Sequence, residues 1–261
     1  MSHPRSVSGS AQRRGRRQSS ARRVYDLVRA SIRRGDVGGS GVLVEERLIE
    51  ELSASRQAVR DALQALAADG LVERRRRVGT TVNGAILDVA TDQLMHLPPD
   101  QQVVEDSAVE RLEEQEMPAP PWMRARLKIA EDEPVLMVEE LVRAHGEVLC
   151  VRATYKPVSR LPARATVRVA DLATAFEHGF GVPLGSVESL VEAVGADALT
   201  AELLGVPAGS PVLVREVLLV DADGLPRDLS YSHYRSDRIC FTHTTEPRTS
   251  SVPVPGVTDV S

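Results

Sequence analysis

The stretch Glu45–Val82, EERLIEELSASRQAVRDALQALAADGLVERRRRVGTTV, decides the fold of the front of this chain. It reads as two short helices joined by a turn, followed by a basic hairpin. In the second helix Val59, Ala62, Leu63 and Leu66 recur at the i, i+3, i+4, i+7 spacing of a buried face. Arg56, Gln57 and Arg60 fall off that stripe, and the two arginines stand four apart, side by side on the helix surface. A helix packed on one face and presenting arginines on the other suits the DNA major groove. Gly70-Leu71 ends the helix, and Glu73 to Val82 gives two strands around an Arg-rich tip with Gly79. The expected fold of this part is a winged helix-turn-helix.

Upstream, Ser20 is placed to cap a helix through about Arg34, with Val24, Leu27, Val28 and Ile32 on one face and Gly35 as its stop. Residues 1–19 are polar and Arg-rich with no hydrophobic period, which predicts a disordered basic tail. Val37 to Gly41 reads as a Gly-rich loop, the next helix covers about Glu45 to Leu52, and Ser53 or Ser55 caps the one that runs to about Ala68. The winged domain is thus expected over residues 20–83.

Charge separates the two halves of the molecule. Residues 1–82 hold 17 arginines, no lysine and 9 acids, a net of +8, whereas the remainder holds 15 basic and 28 acidic residues, a net of −13. A basic front joined to an acidic back argues for a phosphate-binding module attached to something that does not bind the phosphate backbone. With 261 residues the chain suffices for two ordinary domains, and 3% aromatic content means cores built of Leu, Val and Ala. No apolar run approaches the ~20 residues of a membrane helix, and the N-terminus lacks the apolar segment of a secretory signal. Cys150 and Cys240 are isolated, so a reduced, cytoplasmic protein is expected. The histidines are scattered without ligand spacing, so no metal and no cofactor are expected.

Beyond Val82 the pattern changes. Asn83-Gly84 marks a boundary, Ala85 to Asp100 reads as a linker (84–100) or an early strand, and Pro118 to Pro121 as a turn. Strands are expected at about 135–144 and 147–156 around His145-Gly146, a hairpin. Helices are expected at Val169 to Glu177 and Ala196 to Leu204, with a strand at Val187 to Val194 between them. A second hairpin joins Pro211–Leu219 to Leu225–Tyr234 through Asp221-Ala222-Asp223-Gly224, and Ile239 to Thr242 adds a short strand. This order predicts an α+β domain with an antiparallel sheet over 101–243, and the Pro-, Ser- and Thr-rich residues 244–261 a disordered tail. Trp122 is expected in a core or at an interface.

The front block resembles the GntR family of bacterial transcription regulators. The resemblance lies in Ser55-Arg56, Val59-Arg60, Ala62-Leu63, Leu66, Asp69-Gly70-Leu71 and Gly79-Thr80. The rear block is similar to the UTRA effector-binding domain of its HutC-type subfamily, which has a chorismate-lyase-like fold. The matching residues are the Val142–Gly146 turn, Tyr155-Lys156-Pro157, the run Leu203–Val212, the Asp221–Gly224 turn and Ser230–Asp237. The resemblance implies a homodimer on a pseudo-palindromic double-stranded operator, with Ser55, Arg56 and Arg60 at the major groove and Gly79 and Thr80 in the wing; the residue pattern adds Gln57 to the helix face and Arg76 and Arg77 to the wing tip. Two positions depart from the family pattern: Glu46 stands where a DNA-contacting arginine is usual, leaving neighbouring Arg47 as its substitute, and Arg77 replaces the first wing glycine.

For the rear domain the resemblance implies a small-molecule effector pocket between the two hairpins, made by Arg143, Arg152, Asp228, Ser230 and Tyr234. Arg143 matches the family's anion-binding arginine, and Arg152 stands where an acid is usual, which points to a more anionic effector. The expected protein is a transcriptional regulator, a repressor released by a small anionic metabolite. Two alternatives stay open. The rear domain only dimerises, or the chain is an enzyme in which His178 or His233 works with Asp228; no nucleophile–base spacing supports the enzyme.

Overall fold

This computed structural model describes residues 8–36, 41–75, 79–83, 86–91, 108–144, 146–161 and 172–245, and of residues 8–20 and 75 the backbone alone. The front unit opens with α1 (Ser8–Arg34), followed by β1 (Val42–Leu43), α2 (Glu45–Glu51), α3 (Arg56–Ala68), β2 (Val72–Arg75) and β3 (Gly79–Val82). α1 starts twelve residues before the expected Ser20 cap, inside the segment read as a disordered tail. Its Val24, Val28 and Ile32, spaced four apart, are buried against Val59, Ala62, Leu63 and Leu66 of α3. Leu27 does not join them and is 46% exposed. The Tyr25 hydroxyl donates to Asp69 at 2.5 Å, tying α1 to the end of α3.

Of the two candidate caps, Ser55 does the work: its Oγ accepts from the Ala58 N–H at 3.2 Å. Ser53 instead turns the chain, with φ of +47°. β2 and β3 form the expected wing, and β1, which the sequence did not suggest, adds to β3 so that the order is β1-β3-β2. Gly79 opens β3 at φ of +109°, a conformation that side-chain-bearing residues rarely adopt.

The rear unit is a six-stranded antiparallel sheet in the order β5-β6-β7-β10-β9-β8. Its strands are β5 (Ala108–Pro118), β6 (Pro134–Ala144), β7 (Glu147–Pro157), β8 (Leu184–Gly195), β9 (Pro211–Asp221) and β10 (Pro226–Arg235). Both expected hairpins are present, and β5 is an edge strand the sequence reading missed. Asp221 closes the second hairpin by accepting from the N–H groups of Asp223 at 3.0 Å and Leu225 at 2.8 Å. Three helices cover the sheet: α4 (Pro121–Leu127), α5 (Leu172–Phe180) and α6 (Ala198–Leu204). α4 and α6 bury Met123, Leu127, Ala201 and Leu204 against one side, and α5 buries Phe176 against Val217 and Leu219 on the other. Trp122 is 54% exposed and meets Tyr231 edge-on at 6.2 Å, so it is no core residue.

A two-stranded parallel ribbon joins the units. The expected linker contains β4 (Leu87–Ala90), which pairs with β11 (Ile239–Thr242). Ile86 packs into the front core and Leu87, the next residue, into the rear one. The chain therefore crosses between cores with no slack at this point. The Cys240 thiol donates to Asp88 at 2.5 Å, and burial followed by that carboxylate pushes its pKa up to about 11.

Candidate DNA interface and effector face

On the front unit the expected DNA side is a charged surface over an apolar core. Arg56 and Arg60 project from the first turns of α3, 59% and 56% exposed in their side chains. Gln57 donates to Asp61 at 2.7 Å. Arg74 of the wing strand comes up beside them, because it and Arg60 share one acid, Glu45, at 3.4 and 3.3 Å. Arg56 meets Glu46 at 3.4 Å, and Arg47 points along its own helix to Glu51 at 3.1 Å. Arg47 is thereby directed away from the Arg56 cluster.

Two expected contact residues have other duties. Ser55 is committed to capping α3, and Thr80 is 5% exposed, its side chain turned into the fold. Gly79 is exposed, and Arg76 and Arg77 lie outside the described residues. Sequence reasoning placed Arg74 in the basic run of the wing but not beside Arg56 and Arg60.

On the rear unit the register sorts the expected pocket residues. Paired residues of neighbouring strands share a side of the sheet. Arg152 lies opposite Ser232, Ser230 opposite Thr154, and Tyr234 opposite Cys150. These, with Asp228, share the side covered by α5 and the β4–β11 ribbon. Arg143 is not among them. Alternation along β6 puts it on the side opposite Glu140 and Val142; it lies opposite Val148, whose side chain packs with α6, and its Nε donates to Glu110 at 3.1 Å. Tyr234 is on the right side but sits in the core beneath the ribbon, edge-on to Phe241 at 5.1 Å. Burial raises its phenol well above the ordinary tyrosine range.

What remains is a row of polar side chains across the sheet: Arg111, Glu140, Arg152, Ser232 and Arg215, each opposite the next. Arg152 brings no excess charge, because Glu140 accepts from its Nη2 at 2.6 Å. The charge of Arg152 therefore does not by itself set how anionic the effector is. Arg152 Nε, however, is buried with no hydrogen-bond partner in the structure, a state that costs about 1–3 kcal/mol. That N–H suits an oxygen acceptor. Lys156 and Asp228 form a second pair at 3.1 Å one end along, with Ser230 and Thr154 between the pairs.

Arg215 closes the row and is 1% exposed. Its Nε donates to Ser189 at 2.9 Å, its Nη2 to the Thr91 carbonyl at the end of β4, and its guanidinium lies 5.2 Å from the Phe241 ring of β11. So the polar row ends on the ribbon that leads to the front core. A lone arginine inside the apolar run PVLVREVLLVD was the signal for it. Of the two histidines in the acid–base alternative, His233 lies opposite Val151, on the other side of the sheet from Asp228. Among the described residues no group of His, Cys, Asp and Glu could hold a metal, and no helix is long and apolar enough to cross a membrane.

Comparison with known proteins agrees with both units. Residues 105–239 match the UTRA domain, and residues 20–82 match the gntR family of bacterial regulatory proteins. An HTH-type transcriptional regulator of Mycobacterium tuberculosis is 29% identical over 237 residues, covering 86% of this chain and 84% of that protein. The HTH-type transcriptional repressor PhnF of Mycolicibacterium smegmatis is 27% identical over 244 residues, covering 87% and 95%. The crystal structure of PhnF from Mycobacterium smegmatis superposes with a TM-score of 0.56 at 22% identity, over 86% of this chain and 100% of that one.

Proposed function

Because this chain belongs to the gntR family of bacterial regulatory proteins that carry a UTRA domain, we propose that it is a repressor released from its operator by a small anionic metabolite. It is a DNA-binding transcriptional regulator. The operator is a pseudo-palindrome read by a homodimer in the cytoplasm. α3 enters the major groove of each half-site with Arg56 and Arg60, and the wing with Arg74 lies on the flanking backbone. The observation that carries this reading is the cluster of Arg56, Arg60 and Arg74 exposed together on one side of the winged unit.

The effector's anionic oxygen takes the N–H of Arg152 Nε, and the neighbouring hydroxyls of Ser230, Ser232 and Thr154 take its polar groups. Arg215 then supplies the route to DNA. A ligand against Ser232 competes for the guanidinium that holds Thr91, and a shift of β4 passes through Leu87 to Ile86 in the front core. A coupling of about 1–3 kcal/mol is enough to change operator affinity roughly 5- to 150-fold.

The test is a selection of duplexes from a random library by the full chain, followed by Arg56→Ala and Arg60→Ala. Each is expected to weaken binding by about 1–3 kcal/mol; unchanged affinity in both would sink the DNA assignment. A rear domain that only dimerises is the second reading, favoured by the mutual pairing of Arg152 with Glu140 and Lys156 with Asp228. Thermal-shift titration with sugar phosphates and small carboxylates separates the two. A sensor is stabilised by one of them and loses the effect in Arg152→Met, and a dimerisation domain is indifferent.

A further inference from the structure

The acids beside the arginine cluster carry an inference that rests on reading this side as the DNA interface. Glu45 and Glu46 are consecutive residues in the first turn of α2. Between them they hold all three arginines: Glu46 at 3.4 Å from Arg56, and Glu45 at 3.3 Å from Arg60 and 3.4 Å from Arg74. In a helix-turn-helix the first of the two helices crosses the DNA backbone. Here that helix opens with two acids.

We propose that Glu46 is a specificity-determining residue, an internal counterion that penalises phosphate contact by Arg56 more than base contact. The reason is electrostatic. The guanidinium carries enough N–H donors to keep Glu46 and still reach the O6 and N7 acceptors of guanine. A base edge has no net charge to be repelled by the carboxylate. A phosphate on the same arginine comes within a few ångströms of Glu46, a repulsion of about 1 kcal/mol in water and more where water is excluded. Random-sequence binding rests almost wholly on phosphate contacts, so the acid weakens it most. The ratio of operator to random-sequence affinity rises as a result.

The experiment uses the full chain with two probes: the duplex that the wild type enriches from a random library, and a random-sequence duplex of equal length. Glu46→Gln keeps the shape and removes the charge. It is expected to tighten the random duplex by about tenfold, with a salt slope steeper by roughly one unit, and the enriched duplex by about threefold or less. Glu46→Asp, which keeps the charge, is expected to retain the wild-type ratio. Glu46 is 64% exposed in its side chain, so neither change disturbs packing, and an unshifted melting temperature checks this. Equal changes on both duplexes, or weakening of either, overturn the proposal and leave the DNA reading standing. A wild type that enriches no duplex removes both.

Discussion

The two units of this molecule handle charge in opposite ways. The winged unit keeps its core apolar, from Val24 on α1 to Leu66 on α3, and leaves its ion pairs half in water. The rear sheet takes charge inside, running Glu140, Arg152 and Arg215 across its middle on the side that carries α5 and the ribbon. Exposed pairs are worth about 0–1 kcal/mol and yield to a competing ion. Buried pairs are costly to assemble and more costly to break, and they accept only a partner of matching geometry. A surface that must exchange its counterions for nucleic acid suits the first arrangement, and a surface that must tell one small molecule from another suits the second.

The contrast can be broken at three points, taken from the largest effect down. Leu63, fully buried in α3, stands for the apolar unit. Leu63→Ala is expected to cost about 2–5 kcal/mol, read by hydrogen exchange as faster opening of α1 and α3. If β6 and β7 open to the same extent, the two units are one cooperative body and the contrast has no energetic meaning.

Glu140 stands for the buried row. Glu140→Ala leaves the Arg152 guanidinium inside without its acid, and the expected loss is toward the low end of ~3–5 kcal/mol, since water still reaches part of the pair. The double change Glu140→Leu with Arg152→Met is expected to recover most of that loss in denaturant unfolding. A Glu140→Ala variant no less stable than one with an exposed pair removed would show that the row is not buried in effect.

Glu147 lies between the two extremes, its side chain 45% exposed and 2.7 Å from Arg238. The hydrogen bond from Arg238 holds its carboxyl below the ordinary glutamate range, against the opposing effect of burial. A depressed folded pKa means stability that is fully present above the unfolded value of about 4.3 and lost as pH falls through the lower folded value. The contribution is below about 1 kcal/mol after allowance for solvent. Unfolding of the parent and of Glu147→Gln followed from pH 6 to pH 3 should converge at the acid end. Parallel curves would show that the pair adds nothing.

Much of the front unit was legible because its signals are local. The stripe of Val59, Ala62, Leu63 and Leu66, the Ser55 cap and the glycines at Gly70 and Gly79 each act within a few residues, and each appears where expected. Leu27 was misplaced because periodicity names a face but not what covers it, and the resemblance that put Thr80 among the wing contacts does not fix which way its side chain turns. Thr80, on the central strand of the β1-β3-β2 sheet, is 5% exposed, and among the described residues Leu27 stays 46% exposed.

Both rear hairpins were legible from turn chemistry, as in the Asp221 loop. Arg143 was misassigned because residues three apart on a strand face opposite sides, so Arg143 cannot share the side of Glu140 and its partner Arg152, and which strand pairs with which was not readable locally.

By itself the sequence determined the helix-turn-helix and wing, the strands and turns of both rear hairpins, and that a basic DNA-binding front precedes an acidic α+β rear. These follow from periods of 3.6 and 2 and from residues that cap or turn their own neighbourhood. Only the tertiary structure decided that Asp88 would meet Cys240, 152 residues away, that Arg152 would be neutralised by Glu140, and that Arg215 would be buried against the ribbon. The physical reason is that the free energy of a charge depends on what surrounds it. For these residues the surroundings come from other strands, whose order and register no local pattern specifies.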